Sequence, residues 1–428
     1  MGMGRLMPLA DKHLLERKRL LRRVSLPLMN LFIDVTNSCR SPRNTGMQRM
    51  TRRLFAELEQ RMSVTPICWN RLGHFYHRLG DRESVYLRTP FQGYDRAVAL
   101  PEFRGEKFPG ELRRLLRRQP VDLSEELSGG DVFLAPDFFG DSRRQRLPKI
   151  VEKLGILAVA IFHDAAMERL GMHTAHRTRK FREYLKALAC FDRVICISKQ
   201  SCDDLLAFWN ELGVRDLSET FVETWPLEFD DRERSTDPGT KSKTVLCVST
   251  FVPRKNHLAL LDAAEELWAS GLDFELKLVG AWAGNWPVLR KIRSLRAKGR
   301  SLTWLKHVDD ETLHALYREC AFTVYPSLME GFGLPIAESL WHGKPCVCGG
   351  NGALGEIAEG GGCLIVDQTK TDALAEGIKT LLQDRQLHSR LIEEARARKF
   401  RSWSDYIDKF LMHLELSRDA SAAPALRH

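Results

Sequence analysis

Short apolar runs recur along the chain and alternate with stretches whose apolar positions fall at helical spacing. In the first half the runs are Leu31-Phe32-Ile33 ending at Asp34, then Asp131–Ala135, Leu157–Phe162 and Arg193–Ile197. In the second half they are Thr244–Val248, Phe274–Val279, Leu302–Leu305, Phe322–Tyr325, Pro345–Val347 and Cys363–Val366. Runs this short and this apolar suit strands buried on both faces. Helical patterns follow over about 46–61, where Asn44 or Thr45 supplies a cap, and over about 200–211 and 256–269. Strands alternating with helices predict βαβ units and parallel sheets, an α/β fold.

The alternation breaks at 228–243 (EFDDRERSTDPGTKSK), a polar, charged stretch containing Pro238 and Gly239 that reads as a linker. At 428 residues the chain exceeds what one core usually organises, so two domains are expected, 28–227 and 244–400. A basic arm (1–27) precedes them. An amphipathic helix follows within 401–417, with Trp403, Tyr406, Phe410 and Leu414 near one face, and a tail (418–428) ends the chain.

Composition narrows the class. With 43% hydrophobic and 28% charged residues the chain reads as an ordinary globular protein. It lacks both an uncharged apolar run of about 18 residues and a secretory signal pattern, which predicts a cytoplasmic address. The ten cysteines show none of the paired spacings that bind zinc or mark a redox motif, and read as reduced, buried small side chains. The net charge of +9 calls for an anionic partner. No nucleic-acid-binding signature accompanies it. The charge clusters instead on two basic amphipathic stretches, 12–23 and 111–118, of the kind that can lie on an anionic membrane surface.

Loops after the strands of an open α/β sheet are where ligands bind. The richest is PSLMEGFGLPIAESL, 326–340. Gly331 and Gly333 let backbone approach a ligand, Pro335 suits the first turn of a helix, and the free amides there can bind phosphate oxygens. Glu338 is expected in that first turn, where the helix dipole keeps it ionised and able to accept from both ribose hydroxyls.

Glu330 and Glu338, with seven residues between them that include Gly-Phe-Gly-Leu-Pro, resemble the signature of retaining GT-B glycosyltransferases of glycosyltransferase family 4. The resemblance runs from about 31 to 410 and implies two Rossmann-like domains facing a cleft. It implies that Glu330 contacts the donor sugar, Glu338 the ribose, and the amides around Phe332, Gly333 and Leu334 the sugar and diphosphate. VSTFVPRKNH (248–257) resembles the family's diphosphate loop, which assigns Arg254 and Lys255 as catalytic cations. Many relatives have Gly-Arg nearer the start of this loop, where this chain has Ser249-Thr250. Gly280 resembles the turn beneath the phosphates, Val308 the backbone contact to the base, and Thr45-Gly46 the loop facing the donor from the first domain. GGNGALGEIAEG (349–360) resembles a further glycine-rich turn, in which Glu356 reads as structural.

His163 and Asp164, ending a strand in IFHDAA, match the family's histidine position near the reacting sugar. Ser198 is expected either to help bind the acceptor or to brace the cleft, and Asp137 is a weaker acceptor-site candidate. The reaction implied is transfer of a hexosyl group, mannosyl-type favoured, from a nucleoside diphosphate sugar to a glycan or lipid-linked acceptor in surface polysaccharide synthesis. It needs neither a metal nor a cofactor and places the protein peripherally on the inner face of the cytoplasmic membrane. A different GT-B enzyme, such as an epimerase or phosphorylase, or an inactive binding protein of that fold, is the alternative.

Overall fold

The computed structural model describes residues 30–40, 45–88, 120–128, 130–226 and 242–415. The basic segments 12–23 and 111–118, the tail 418–428 and nearly all of the expected linker lie outside them. The first sheet contains β1 (Asn30–Asp34), β2 (Ser63–Asn70), β3 (Phe75–Arg78), β4 (Val132–Ala135), β5 (Leu157–Phe162), β6 (Arg193–Cys196) and β7 (Glu219–Val222). The second contains β8 (Thr244–Val248), β9 (Glu275–Val279), β10 (Leu302–Leu305), β11 (Phe322–Tyr325), β12 (Cys346–Cys348) and β13 (Cys363–Ile365). Every apolar run read from the sequence forms a strand, with ends that shift by a residue or so, as helix and strand ends do.

The strand orders are β3-β2-β1-β4-β5-β6-β7 and β10-β9-β8-β11-β12-β13. All pairings are parallel except β2 with β3. Each sheet therefore reverses direction once, between β1 and β4 and between β8 and β11. The crevices outside the carboxyl ends of those strand pairs are where such a topology binds ligands.

One apolar cluster spans both domains. It joins Leu31, Ile33 and Leu54 of the first to Tyr325, Phe332 and Ile336 of the second, together with Trp403, Tyr406 and Phe410. Helix Trp403–Glu415 carries the last three and crosses back to pack on helix Gly46–Glu59. Trp225, just after the first sheet, lies 5.3 Å from Tyr406 and 6.2 Å from Trp403, ring centre to ring centre. Glu223 accepts from both Arg401 and His413, fastening the ends of this crossing. None of the helices among the described residues is long and apolar enough to cross a membrane.

Candidate active site

The loop after β8 makes a short 3-10 turn, Pro253–Lys255, ended by Asn256 at φ 53°. The turn presents Arg254 and Lys255 towards the loop after β11. The two loops are sewn together by backbone: Arg254 O accepts from Leu328 N at 2.9 Å and from the Ser327 hydroxyl at 3.2 Å. Side chains then converge on Glu330. Its Oε1 lies 2.6 Å from Lys255 Nζ and its Oε2 2.5 Å from Arg254, while Ser327 also donates to Oε1. Lys255 additionally donates to the Tyr325 hydroxyl and sits over that ring.

Two cations face one carboxylate in a poorly hydrated pocket. Burial alone would raise the Glu330 carboxyl, but Lys255 and Arg254 together hold it at about 2. Burial pulls the Lys255 ammonium below its usual range, with Glu330 opposing and Arg254 reinforcing the effect. Asp164, in the other domain, acts electrostatically on both cations, which puts it close to them.

Gly331 is one of the places where the domains touch. A Cβ on this residue would stand 2.4 Å from His163 O and 2.7 Å from Asp164 Cβ, so only glycine permits the approach. The Ser201 hydroxyl bridges the same seam, donating to His163 O at 2.6 Å and lying 3.3 Å from Gly331 O. The seam thus brings His163, Asp164, Gly331, Glu330, Arg254 and Lys255 together. Thr45, exposed, closes a capping box with Gln48 at the start of helix Gly46–Glu59, and Gly46 packs against Leu334 across the cleft.

His163 is buried and its Nε2 lies 2.7 Å from Pro136 O. A carbonyl only accepts, so the proton is on Nε2 and Nδ1 keeps its lone pair. Burial lowers the His163 pKa, which leaves the ring neutral at pH 7. His163 and Asp164 also wall a pocket of ≈ 430 Å³ in the first domain, with Met47, Phe138, Arg177 and Lys180 on its other sides.

Helix Leu334–Trp341 starts at Gly333, and its first turn holds no acid. Glu338 therefore falls one residue later than the sequence suggested, in the second turn, where the dipole acts on it less. It is held instead by side chains: Tyr317 donates to Oε2 at 2.8 Å, and Arg49 of the first domain pairs with Oε1. Arg49 and Tyr317 carry no signal in the local sequence, since each meets Glu338 only through the fold. Gly280 ends β9 with φ 149°, and a Cβ there would lie 2.0 Å from Ser249 O, beneath the loop that carries Lys255. Val308 lies in the loop before helix Asp310–Glu319, half-buried on the cluster of Leu246 and Val279. The Phe332 side chain is buried in the shared core, so only its backbone can face a ligand.

Two acceptor candidates take other places. Asp137 is buried behind the cleft, accepting from Thr51 at 2.6 Å and Ser38 at 3.3 Å, and burial pushes its carboxyl up to about 6. A carboxyl closed in by its own domain meets no acceptor, so Asp137 reads as structural. Ser198 caps helix Lys199–Glu211 through Ser201 N and braces the seam. Glu356 of the second domain does the same from outside, accepting from Lys199 N and Gln200 N at 2.9 and 2.8 Å.

The fold is GT-B. Two solved structures covering about nine-tenths of this chain and all of their own share it. Sucrose-phosphate synthase from Thermosynechococcus elongatus matches with a TM-score of 0.66 at 16% identity, covering 92% of this chain and 100% of its own. HepE from Anabaena, solved in complex with UDP, matches at 0.62 and 17%, covering 90% and 100%. Residues 228–398, the range that holds the second domain, match the family model of the glycosyl transferases group 1. Over 348 residues the chain is 27% identical to the serotype-specific mannosyltransferase WbdA of Escherichia coli. The match takes in 77% of this chain and 40% of that relative, so the chain spans well under half its length.

Proposed function

We propose that the chain is a retaining glycosyltransferase that moves a mannosyl group from a nucleoside diphosphate sugar to a glycan or lipid-linked acceptor in surface polysaccharide synthesis. The observation that carries this reading is the buried cluster of Arg254, Lys255 and Glu330 at the switch point of the second sheet, facing His163 and Asp164 across the Gly331 seam. The group 1 match and the mannosyltransferase relative support the class and the sugar.

Before the donor arrives, Glu330 holds both cations in place without full hydration. A diphosphate entering beneath Gly331 and Gly333 takes over Arg254 and Lys255, releasing Glu330 to hydrogen-bond sugar hydroxyls. As the bond from the anomeric carbon to the phosphate oxygen breaks, negative charge grows on the leaving diphosphate. Fixed cations there stabilise the transition state more than the bound substrate. The acceptor hydroxyl reaches the same face from the first-domain pocket, bonds to the anomeric carbon and gives its proton to the departing phosphate oxygen. Attack on the face of departure retains configuration and needs no protein nucleophile. His163, neutral with its lone pair on Nδ1, accepts from a sugar hydroxyl. The two lysine and arginine charges do the work a metal ion does in metal-dependent transferases.

Glu338 binds the ribose in this reading once Arg49 gives way or shares it. The basic stretches 12–23 and 111–118 hold the enzyme on the anionic inner membrane surface where lipid-linked acceptors reside. The test is direct transfer from GDP-mannose to a mannosylated acceptor, with the anomeric configuration of the product read by NMR. Transfer with inversion, or none with any nucleoside diphosphate hexose, overturns the proposal.

A further inference from the structure

Away from the cleft, four separate elements of the first domain bring ligand-type side chains into one buried cluster. Cys39 ends the short helix Thr36–Cys39, Cys68 lies in β2, His77 in β3 and Glu83 in helix Asp81–Arg88. Cys68 and His77 are direct partners in the antiparallel ladder, and such partners point to the same face. All four residues are at most 3% exposed. The two thiol sulfurs are 3.2 Å apart, and ligand atoms of Cys39, Cys68 and Glu83 all lie within 4.8 Å of one another.

His77 decides what the cluster is for. Its Nδ1 lies 2.9 Å from the carbonyl of Arg78, which can only accept, so Nδ1 carries the proton and Nε2 the lone pair. That Nε2 is buried and meets no donor or acceptor at good hydrogen-bonding geometry, and the side chain that interacts with the ring is the Cys68 thiol. An imidazole fixed by donating one nitrogen to a backbone carbonyl, with the other buried beside a cysteine, is the arrangement of a metal-bound histidine.

We propose that Cys39, Cys68, His77 and Glu83 form a zinc site that staples the β2–β3 hairpin and helix Asp81–Arg88 to helix Thr36–Cys39. Two thiolates, an imidazole and a carboxylate are a tetrahedral donor set that suits zinc. Zinc–sulfur bonds of about 2.3 Å at a tetrahedral angle place the sulfurs about 3.8 Å apart, so the pair opens by roughly half an ångström on binding. The Arg40 Nε lies 3.3 Å from Cys68 Sγ. A disulfide would use the two sulfurs and leave the imidazole nitrogen without a partner. The site is structural and secures the short helix Thr36–Cys39, whose Asn37 O accepts from the Gln48 side chain.

Elemental analysis of the purified full chain tests this, with about one zinc per chain expected. His77→Ala keeps both thiols and lowers zinc affinity at least tenfold, read by chelator competition. Because variants at Cys39 or Cys68 can fail to fold, the wild type is also stripped of metal and titrated with Co2+. A near-ultraviolet thiolate-to-cobalt band, bleached on adding Zn2+, is the expected result. A metal-free chain without that band, a native Cys39–Cys68 disulfide found by mass, or zinc affinity unchanged in His77→Ala overturns the proposal.

Discussion

Lys255 Nζ lies 2.6 Å from the Glu330 carboxylate in a site from which water is nearly excluded. On the proposed mechanism the pair is a placeholder for a substrate anion, because Arg254 is held by the same carboxylate and both cations are released together. Lys255→Ala is therefore expected to lower turnover about a hundredfold or more, by analogy with losing an oxyanion donor, while the protein stays folded. Steady-state transfer kinetics check this, and undiminished turnover removes Lys255 from the mechanism.

Removing the carboxylate instead leaves two buried cations facing each other. Glu330→Gln should destabilise the fold by roughly 3–5 kcal/mol, the usual cost of breaking a buried pair from one side. Denaturant unfolding measures it. Adding a nucleoside diphosphate should recover part of the loss, because the ligand supplies the missing negative charge.

The same carboxylate fixes a pH dependence. Glu330 is held at about 2 when folded, below the 4.5 of a free glutamate, so the unfolded state takes up the proton first as pH falls. Its contribution is complete above about pH 4.5 and fades as pH drops towards 2. Asp137 runs the other way: with its carboxyl at about 6, the folded state binds the proton more tightly and loses that advantage as pH rises from about 4 through 6. The stability gap between wild type and Glu330→Gln should thus shrink as pH falls from 5 to 3, as measured by urea melts. A gap that stays constant contradicts the pairing.

Gly331→Ala places a methyl group 2.4 Å from His163 O, in backbone that cannot yield without parting the domains. Turnover should fall by about a hundredfold, since misplacing the reacting groups by an ångström costs that much, with far-ultraviolet circular dichroism unchanged. Turnover close to wild type would show that the seam opens during the reaction.

Much of the fold was legible because its strands are continuous apolar runs buried on both faces. The ones that escaped notice are those that break this rule. β2 contains Pro66 and an exposed start, while β3 and β7 are edge strands with half-exposed patterns. Arg254, Lys255 and Glu330 were legible because each sits in a compact loop motif. Glu338 was recognised but its partners were not, because Arg49 comes from the other domain. Asp137 looked like a cleft residue because it follows a strand, yet Thr51 and Ser38 close over it. The cluster of Cys39, Cys68, His77 and Glu83 has no motif spacing, and only the β2–β3 hairpin assembles it.

The account stands on Lys255 and Arg254 as the seat of a diphosphate, and calorimetric titration tests that directly. Wild type and Lys255→Ala are titrated with GDP and UDP and with the matching monophosphates. The account predicts that wild type prefers at least one diphosphate to its monophosphate by about tenfold or more, and that the variant loses this preference. Equal diphosphate binding by wild type and variant, or no preference for the diphosphate in either, would contradict it.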